Sequence, residues 1–351
     1  MKLDKKSKSN LITYAIVIAA YIIFQVLAMT GNLSSHMKGL LVPMTYYAVI
    51  AVALNLCVGI LGELSIGHCG FMCIGAFTSA FFSKITADIL PTAPRFFLAF
   101  LIGIGFAALF GFLIGIPVLR LKGDYLAIVT LAFGEIIKNV INAFYIGIDK
   151  NGLHFSMKNS MELGMEADGN ILVNGAMGIT GTPHDANFTV GIVVLLISLF
   201  VVQNLVNSRD GRAIMAIRDN YIAAESTGIN VTGYKMMAFT ISAAIAGAAG
   251  VLFSHNITTL TASSQYFGYN ASIMILVYVV LGGIGNIRGS VIAACILYLL
   301  PELLRGLSTY RMLIYSIVLI IMMIVNWSPK VIEWRKKTFG KVKLPGRKEV
   351  A

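Results

Sequence analysis

Charged residues are scarce in this sequence of 351 residues, where Asp, Glu, Lys and Arg together make up only 12%. Soluble domains carry about 25% charged residues. The shortage therefore excludes a large water-soluble domain, because too few charged side chains are present to form its surface. It also excludes disorder, because disordered chains are polar and rich in charge. The abundant residues, 57% from the set AVILMFWYC, indicate an all-α polytopic membrane protein.

Several chemical motifs are missing as well. No G-x-x-x-x-G-K-[ST] sequence occurs, so any ATP that drives the activity must be bound by another chain. The motif H-E-x-x-H and a Ser/His/Asp set are also missing, which argues against an enzyme. The four cysteines lie in apolar runs. Cys69 and Cys73 lie near His68, but the further ligands that a metal site needs are lacking. We therefore expect no catalytic residues and no metal.

Apolar runs long enough to cross a membrane, about 20 residues each, fill most of the chain between residues 11 and 327. They predict eight to ten transmembrane helices, some of them discontinuous. The first run, 11–29, follows a lysine-rich start, but the lack of an A-x-A site favours a retained helix over a cleaved signal peptide. The count stays open at 271–327. This stretch holds either two short helices around a glycine-rich break at 282–289 plus a third helix, or one long helix with a re-entrant neighbour.

The basic residues predict the orientation. Most of the 27 lie in the segments 1–10, 120–124, 207–235 and 328–351, whereas the loop 147–187 is mainly acidic. Loops rich in Lys and Arg face the cytoplasm, so both termini and the loop 207–235 are predicted inside and the acidic loop outside. The formal charge of +11 is then an orientation signal and does not point to nucleic acid. The basic tail can bind anionic lipid of the bilayer.

Two glycine-rich breaks supply polar candidates for a solute pathway. The stretch 62–75 has four glycines with Glu63, Ser65 and His68 between them, and Asn286 lies in the second break. Irregular backbone at membrane depth survives only inside protein or beside a water-filled cavity. The stretch is therefore either a loop that runs into a glycine-rich helix or a broken helix that borders the path of a solute.

Glu135 and Lys138 form another kind of candidate, because they lie one turn apart in an otherwise apolar run. An ionisable residue within a span predicts a functional role by default, which makes Glu135 a pathway candidate. The alternative is structural: Glu135 caps or braces a neighbouring helix while the long stem of Lys138 extends towards an interface. Both interpretations stay open.

The segment 207–235 is the longest polar stretch on the predicted inner side apart from the tail. Asp219 or Asn220 can cap a helix start, residues 221–227 suit a short helix, and Gly228 stands where helices commonly stop. A helix this short is marginal in isolation, so we expect a partner to stabilise it. Alternatively, it lies on the bilayer with its arginines at anionic headgroups.

Five sequence blocks resemble, in the same order, the M-type permease subunit of ABC importers for branched-chain amino acids. They are GELSIGHCGFMCIGAFTS at 62–79, GDYLAIVTLAFGEIIKNVIN at 123–142, GAMGITGTP at 175–183, GRAIMAIRDNYIAAESTGINVTGYKMMAF at 211–239 and VLGGIGNIRGSV at 280–291. Within the fourth block, AAESTG at 223–228 is similar to the EAA-type coupling segment of importer permeases. Glu63 departs from the family, which usually has Gln there.

The resemblance implies a permease subunit of the ABC importer type, in a bacterial plasma membrane, that forms half of a path for Leu, Ile and Val. It also implies a second related permease subunit, two ATPase subunits that bind ATP and Mg, and an extracytoplasmic binding protein, which we expect the loop 147–187 to contact. This chain itself would hold no cofactor. The residues implied to couple to the ATPase are Arg212, Arg218, Asp219, Ala223, Ala224, Glu225 and Gly228.

Other functions remain as alternatives. A urea or short-chain amide permease of the same superfamily has a similar layout. An ion-coupled secondary transporter would suit the broken segments and Glu135, but it leaves the loop 209–235 unexplained and would need an inverted repeat that we do not find. An intramembrane enzyme would rest on His68 and Glu63 alone. Dependence on an ATPase separates the two ABC permeases from the ion-coupled carrier.

Overall fold

The computed structural model describes residues 5–31, 33–87, 89–121, 123–150, 152–165 and 169–327, so the predicted basic tail lies outside the described residues. The described chain is an all-α bundle with short strands at one end, as the composition predicts. Its helices are α1 (Lys5–Met29), α2 (Ser35–Asn55), α3 (His68–Ile85), α4 (Thr92–Val118), α5 (Asp124–Asn142), α6 (Phe188–Asn207), α7 (Arg209–Asp219), α8 (Tyr221–Ser226), α9 (Val231–Ser254), α10 (Ser264–Phe267), α11 (Tyr269–Gly282), α12 (Ile287–Leu303) and α13 (Arg311–Trp327).

Seven helical segments are long and apolar enough, by length and composition, to cross a membrane. They are α1, α2 with the turn that follows it, α4, α6, α9, α10 joined to α11, and α12 with its last turn. The bundle also contains α3, α5 and α13, which are too polar or too short to be counted with them. The polytopic all-α fold is thus confirmed, whereas the predicted number of eight to ten spans is not.

The second helix occupies the centre of the bundle. In the most apolar 18-residue stretch of α2 and the turn after it, 94% of the residues are buried, compared with 11% in the corresponding stretch of α1. This helix ends in a single π-helical turn, Leu56–Leu61, whose residues are all buried. Such turns are rare and occur frequently at functional sites. The irregular segment 62–67 follows, and α3 begins at its end.

Small residues bring α3, α4 and α9 into close contact. Gly75 of α3 faces the backbone of Gly247 of α9, and Gly111 of α4 faces the Cβ of Ala243. A side chain at any of these glycines would overlap the facing helix. Glycine and alanine at a spacing of four residues allow helix backbones to approach closely in a bilayer, and here they pack the bundle in that way.

The strands lie at one end of the bundle, the strand end, and α7 and α8 lie at the opposite end, the α7 end. The strands are β1 (Tyr145–Asp149), β2 (Gly152–Ser156), β3 (Asn170–Asn174), β4 (Ile179–Thr180) and β5 (Thr259–Leu260). They form an antiparallel sheet in the order β2-β1-β3 and a two-stranded pair of β4 with β5. The acidic region that we predicted only as a loop therefore contains a small sheet. A buried ion pair between Arg95 of α4 and Asp185, 2.9 Å from Nη2 to Oδ2, ties this region to the bundle.

The second glycine-rich break is a tight turn between α11 and α12. Gly283 has a φ of +97° and Gly285 a φ of +78°, which glycine adopts more readily than other residues. Two helices therefore flank the break and α13 follows them, which is the first of the two arrangements considered for residues 271–327.

Candidate functional site

The helix α8 at the α7 end carries the predicted coupling residues. Asn220 caps it, since its Oδ1 accepts hydrogen bonds from the backbone N–H groups of Ile222 and Ala223, both at 3.1 Å. Gly228 follows the helix with a φ of +83°. Within α8 only Ala224 is buried, and the side chain of Ile222 is 63% exposed. The helix therefore presents an apolar surface that the described chain leaves uncovered.

Two other predicted coupling residues, Arg218 and Asp219, lie on α7 and contact each other, with 3.0 Å between Arg218 Nη2 and Asp219 Oδ1. Arg218 also points back towards the bundle. Its Nη1 donates to the carbonyl oxygen of Gly59 in the π-helical turn, at 2.9 Å, and its stem packs over Gly62. Arg212, by contrast, is exposed and makes one long hydrogen bond, 3.4 Å, to the carbonyl oxygen of Asn207.

The buried side-chain amide of Asn55, which the sequence analysis missed, lies beside Gly59 and therefore next to this contact. Asn55 is fully buried at the end of α2, where its Nδ2 donates to Ser290 Oγ and its Oδ1 accepts from the backbone N–H of Gly285, each at 2.8 Å. The pathway candidate Asn286 is the next residue after Gly285, and it is exposed. An isolated amide in the long apolar run 39–61 was the available signal for Asn55.

Glu63 lies at the same end and forms an ion pair with Lys235 of α9. Both side chains are nearly buried, at 13% and 12% exposed. The backbone carbonyl of Glu63 also accepts a hydrogen bond from the thiol of Cys57, at 3.4 Å. The ion pair balances the charge of Glu63 within the chain. It also holds the irregular segment to the start of α9.

Ser65 and His68 lie deeper in the bundle and are buried. The ring of His68 contacts two serine hydroxyls, Ser65 at 3.1 Å from Nδ1 and Ser242 at 2.7 Å from Nε2. Ser242 donates in turn to the carbonyl oxygen of Ala53, at 2.6 Å. One histidine thus links α2, α3, α9 and the irregular segment, and both of its ring nitrogens have hydrogen-bond partners. The sequence analysis did not identify Ser242.

The irregular segment 62–67 runs from the α7 end, where Gly62 is exposed, to the depth of the bundle centre, where Ser65 and Gly67 are buried. Ile66 donates its backbone N–H to Thr130 Oγ1 of α5 at 3.1 Å, and Gly67 packs against the backbone of Thr130. Ser242, the partner of His68, lies midway along the 24 residues of α9. Helix α3 therefore begins near the middle of the bundle. This geometry agrees with the broken-helix alternative, and burial meets the requirement for irregular backbone at that depth.

Glu135 connects α5 to the start of α11. It forms an ion pair with Lys138, and its Oε1 accepts from the backbone N–H of Tyr269 at 2.8 Å. Lys138 also donates to Ser264 Oγ of α10 at 2.8 Å. These contacts agree with the bracing alternative. The side chain of Glu135 nevertheless stays 25% exposed, so the pathway alternative also stays open.

Three groups of predicted residues are therefore separate in space. Glu63, Asn286 and the coupling residues lie at the α7 end, Ser65 and His68 lie near the bundle centre, and Glu135 lies on the seam between α5 and α11. Among the described residues no group of three His, Cys, Asp or Glu side chains is placed to hold a metal ion.

Residues 36–326 match the family model described as branched-chain amino acid transport system / permease component. The high-affinity branched-chain amino acid transport system permease protein LivM of Salmonella typhimurium is 36% identical over 81% of this chain and 67% of its own length, and LivM of Escherichia coli gives the same figures. The permease protein LivH of the same transport system in Salmonella typhimurium is 25% identical over 72% of this chain and 79% of its own length. No solved structure matches the chain significantly.

Proposed function

The chain belongs to the family of branched-chain amino acid transport system permease components, and on that premise we propose that it imports leucine, isoleucine and valine as a membrane subunit of an ATP-driven transporter. It forms half of the solute pathway, and a second related permease subunit forms the other half. The match to proteins of both the LivM and the LivH kind supports two related permease subunits in one transporter.

Helix α8 carries this proposal. A helix of six residues is marginal alone, yet here it is capped, held against α7 and left exposed with Ile222 outward. Such a surface suits a groove on a separate ATPase subunit. Two ATPase subunits bind ATP and Mg, and this chain supplies no catalytic residue and no cofactor. Its contribution is to transmit their movement to the pathway.

The proposal sets the orientation of the bundle. The α7 end lies in the cytoplasm of a bacterial cell, where Arg209, Arg212 and Arg218 follow the rule that basic loops stay inside. The strand end lies outside, where its small sheet is positioned to meet a soluble binding protein that delivers the amino acid. Both termini lie in the cytoplasm.

Uptake of labelled leucine at low concentration tests the proposal. Cells with and without this gene are compared, each with and without vanadate and with a protonophore, in a strain that lacks other leucine carriers. We expect uptake that vanishes on deletion of the gene, is blocked by vanadate and survives the protonophore. Excess unlabelled isoleucine or valine should compete, whereas urea and acetamide should not.

Each opposite result points to a different alternative. Competition by urea or acetamide in place of the amino acids would favour the amide permease. Loss of uptake with the protonophore and resistance to vanadate would favour an ion-coupled carrier and would remove the coupling role of α8.

A further inference from the structure

The exposed side chains of the bundle fall into two chemical classes. On α1 from Leu11 to Met29, on α4 from Phe97 to Pro117 and on α6 from Val193 to Val201, every exposed residue is apolar or glycine. Side chains of this kind suit contact with lipid acyl chains. These three helices therefore present the lipid-facing surface of the protein.

The seam between α5 and the α10–α11 segment is different. Three exposed amides flank it, Asn139 on α5, Gln265 on α10 and Asn270 on α11. None of the three side chains makes a hydrogen bond within the described residues, and the carboxylate of Glu135 beside them is partly exposed. We call these four side chains the polar face.

The seam itself is well defined by contacts. Glu135 meets the backbone of Tyr269, Lys138 meets Ser264, and one turn further Asn142 Nδ2 donates to the carbonyl oxygen of Ala262 at 3.0 Å. Residues 135, 138 and 142 lie on one side of α5, as helical spacing requires. Because Gln265 and Asn270 directly follow Ser264 and Tyr269, the exposed amides border this seam.

The polar face extends from the depth of the bundle centre towards the strand end. Gly134, next to Glu135, packs against Gly70 in the first turn of α3, which begins midway along α9. Tyr269 at the start of α11 donates its backbone N–H to Glu135 Oε1 at 2.8 Å. Glu135 and Asn270 therefore lie near the central level, while Asn139 and Gln265 lie about one turn closer to the strand end.

Unpaired amides and a carboxylate at this depth cannot face acyl chains without a large free-energy cost. The opposite side of α5 shows the contrast. There a groove of about 460 Å³ between α3, α4 and α5 is lined by apolar side chains and by Thr78, whose hydroxyl already donates to the carbonyl oxygen of Ile74 at 2.7 Å. That groove offers nothing to a polar solute, whereas the polar face offers hydrogen-bonding groups at the same level.

We propose that the polar face lines a water-filled solute path and contacts the ammonium and carboxylate groups of an α-amino acid as it passes. The assignment rests on the proposed transport function for the identity of the solute, while the exposure to water rests on the structure alone. Amide groups can both donate to a carboxylate and accept from an ammonium group. They therefore replace water around a zwitterion without holding it tightly.

Accessibility to a membrane-impermeant thiol reagent tests the assignment in the assembled transporter. Asn139→Cys, Gln265→Cys and Asn270→Cys probe the face, and Leu109→Cys on α4 and Ile197→Cys on α6 are controls of similar depth on the lipid-facing surface. All variants are made in a Cys295→Ser chain, which gives the background, because Cys295 is partly exposed whereas Cys57, Cys69 and Cys73 are fully buried. Ala132→Cys, on the exposed side of α5, is a further probe that removes no polar group.

We expect the face cysteines to react on the order of tenfold faster than the controls, because a thiol needs water to form the reactive thiolate. Excess leucine, supplied with the binding protein and ATP, should slow the reaction. Labelling as slow as at Leu109 and Ile197 would overturn the assignment, as would cross-linking of the face cysteines to the second permease without labelling. Fast labelling that leucine leaves unchanged supports the path and contradicts the proposed substrate instead.

Discussion

Arg218 donates a hydrogen bond from Nη1 to the backbone carbonyl of Gly59 at 2.9 Å, and so ties a helix outside the bundle core to the most buried helix within it. Gly59 belongs to the π-helical turn of α2 and packs directly against Gly285 in the turn between α11 and α12. A movement of α7 would therefore directly displace α2 and the turn between α11 and α12.

Replacing Arg218 should uncouple transport from ATP hydrolysis. A hydrogen bond from a charged donor contributes about 1.5–3 kcal/mol, and the partial exposure of Arg218 favours the low end, so Arg218→Ala should lower leucine uptake about tenfold. The purified complex should still assemble and hydrolyse ATP. Arg209→Ala is the matched control, because that side chain is exposed in the first turn of the same helix and is not among the residues implied to couple. Normal uptake by Arg218→Ala would contradict the link.

The coupling surface is tested by the double substitution Glu225→Lys with Gly228→Val. It reverses a charge beside α8 and places a β-branched residue at a φ of +83°, which such residues adopt only with strain. We expect the chain to insert in the membrane but to lose the ATPase subunits on purification and all ATP-dependent uptake.

A double variant at the strand end, with the same two kinds of substitution, serves as the control. Glu162→Lys with Gly164→Val makes the same changes at an exposed acid and at a glycine with a φ of +59°. This variant should keep its ATPase subunits. If both double variants kept them and transported leucine normally, α8 would not be the coupling helix.

Asn55 should be a determinant of stability. Asn55→Ala leaves the backbone N–H of Gly285 and the hydroxyl of Ser290 without their buried partner, which costs about 1–3 kcal/mol. The unfolding temperature of the detergent-purified protein should fall. Asn204→Ala, at an exposed position on α6, should leave it unchanged. Equal unfolding temperatures for the two variants would show that the buried amide does not hold the turn.

Glu135→Gln separates the two roles of that residue. Glutamine keeps an acceptor for the N–H of Tyr269 but removes the charge that balances Lys138. If Glu135 acts on the solute, uptake falls severalfold while the unfolding temperature changes little. Intact uptake would assign the residue a structural role. Asp185→Asn, which removes the charge that pairs with Arg95 at the strand end, shows how much of any loss comes from a broken ion pair alone.

Much of the fold follows from local properties of the sequence. The scarcity of charge and the length of the apolar runs predicted the membrane bundle. The cap and stop residues around 220–228 predicted α8, with Asn220 as the cap. These features depend on neighbours within about one helical turn, so they can be recognised without the fold.

Contacts between distant residues could not be predicted in this way. The sequence marked Glu63, His68 and Glu135 as unusual, but only the folded chain pairs them with Lys235, Ser242 and Tyr269. The folded chain also places these three residues in three separate regions of the bundle, although they had been considered together as pathway candidates. Asn55 was overlooked because its partners lie some 230 residues further along the chain.

The sequence by itself determined that this chain is a many-helix membrane protein with a short polar helix at one end, because hydrophobicity, charge and capping act locally. Only the tertiary structure decided which polar groups are enclosed and which remain exposed at the bundle centre. Burial depends on how helices far apart in sequence pack together, and a polar side chain in an apolar run satisfies the same local pattern whether it meets a partner or water.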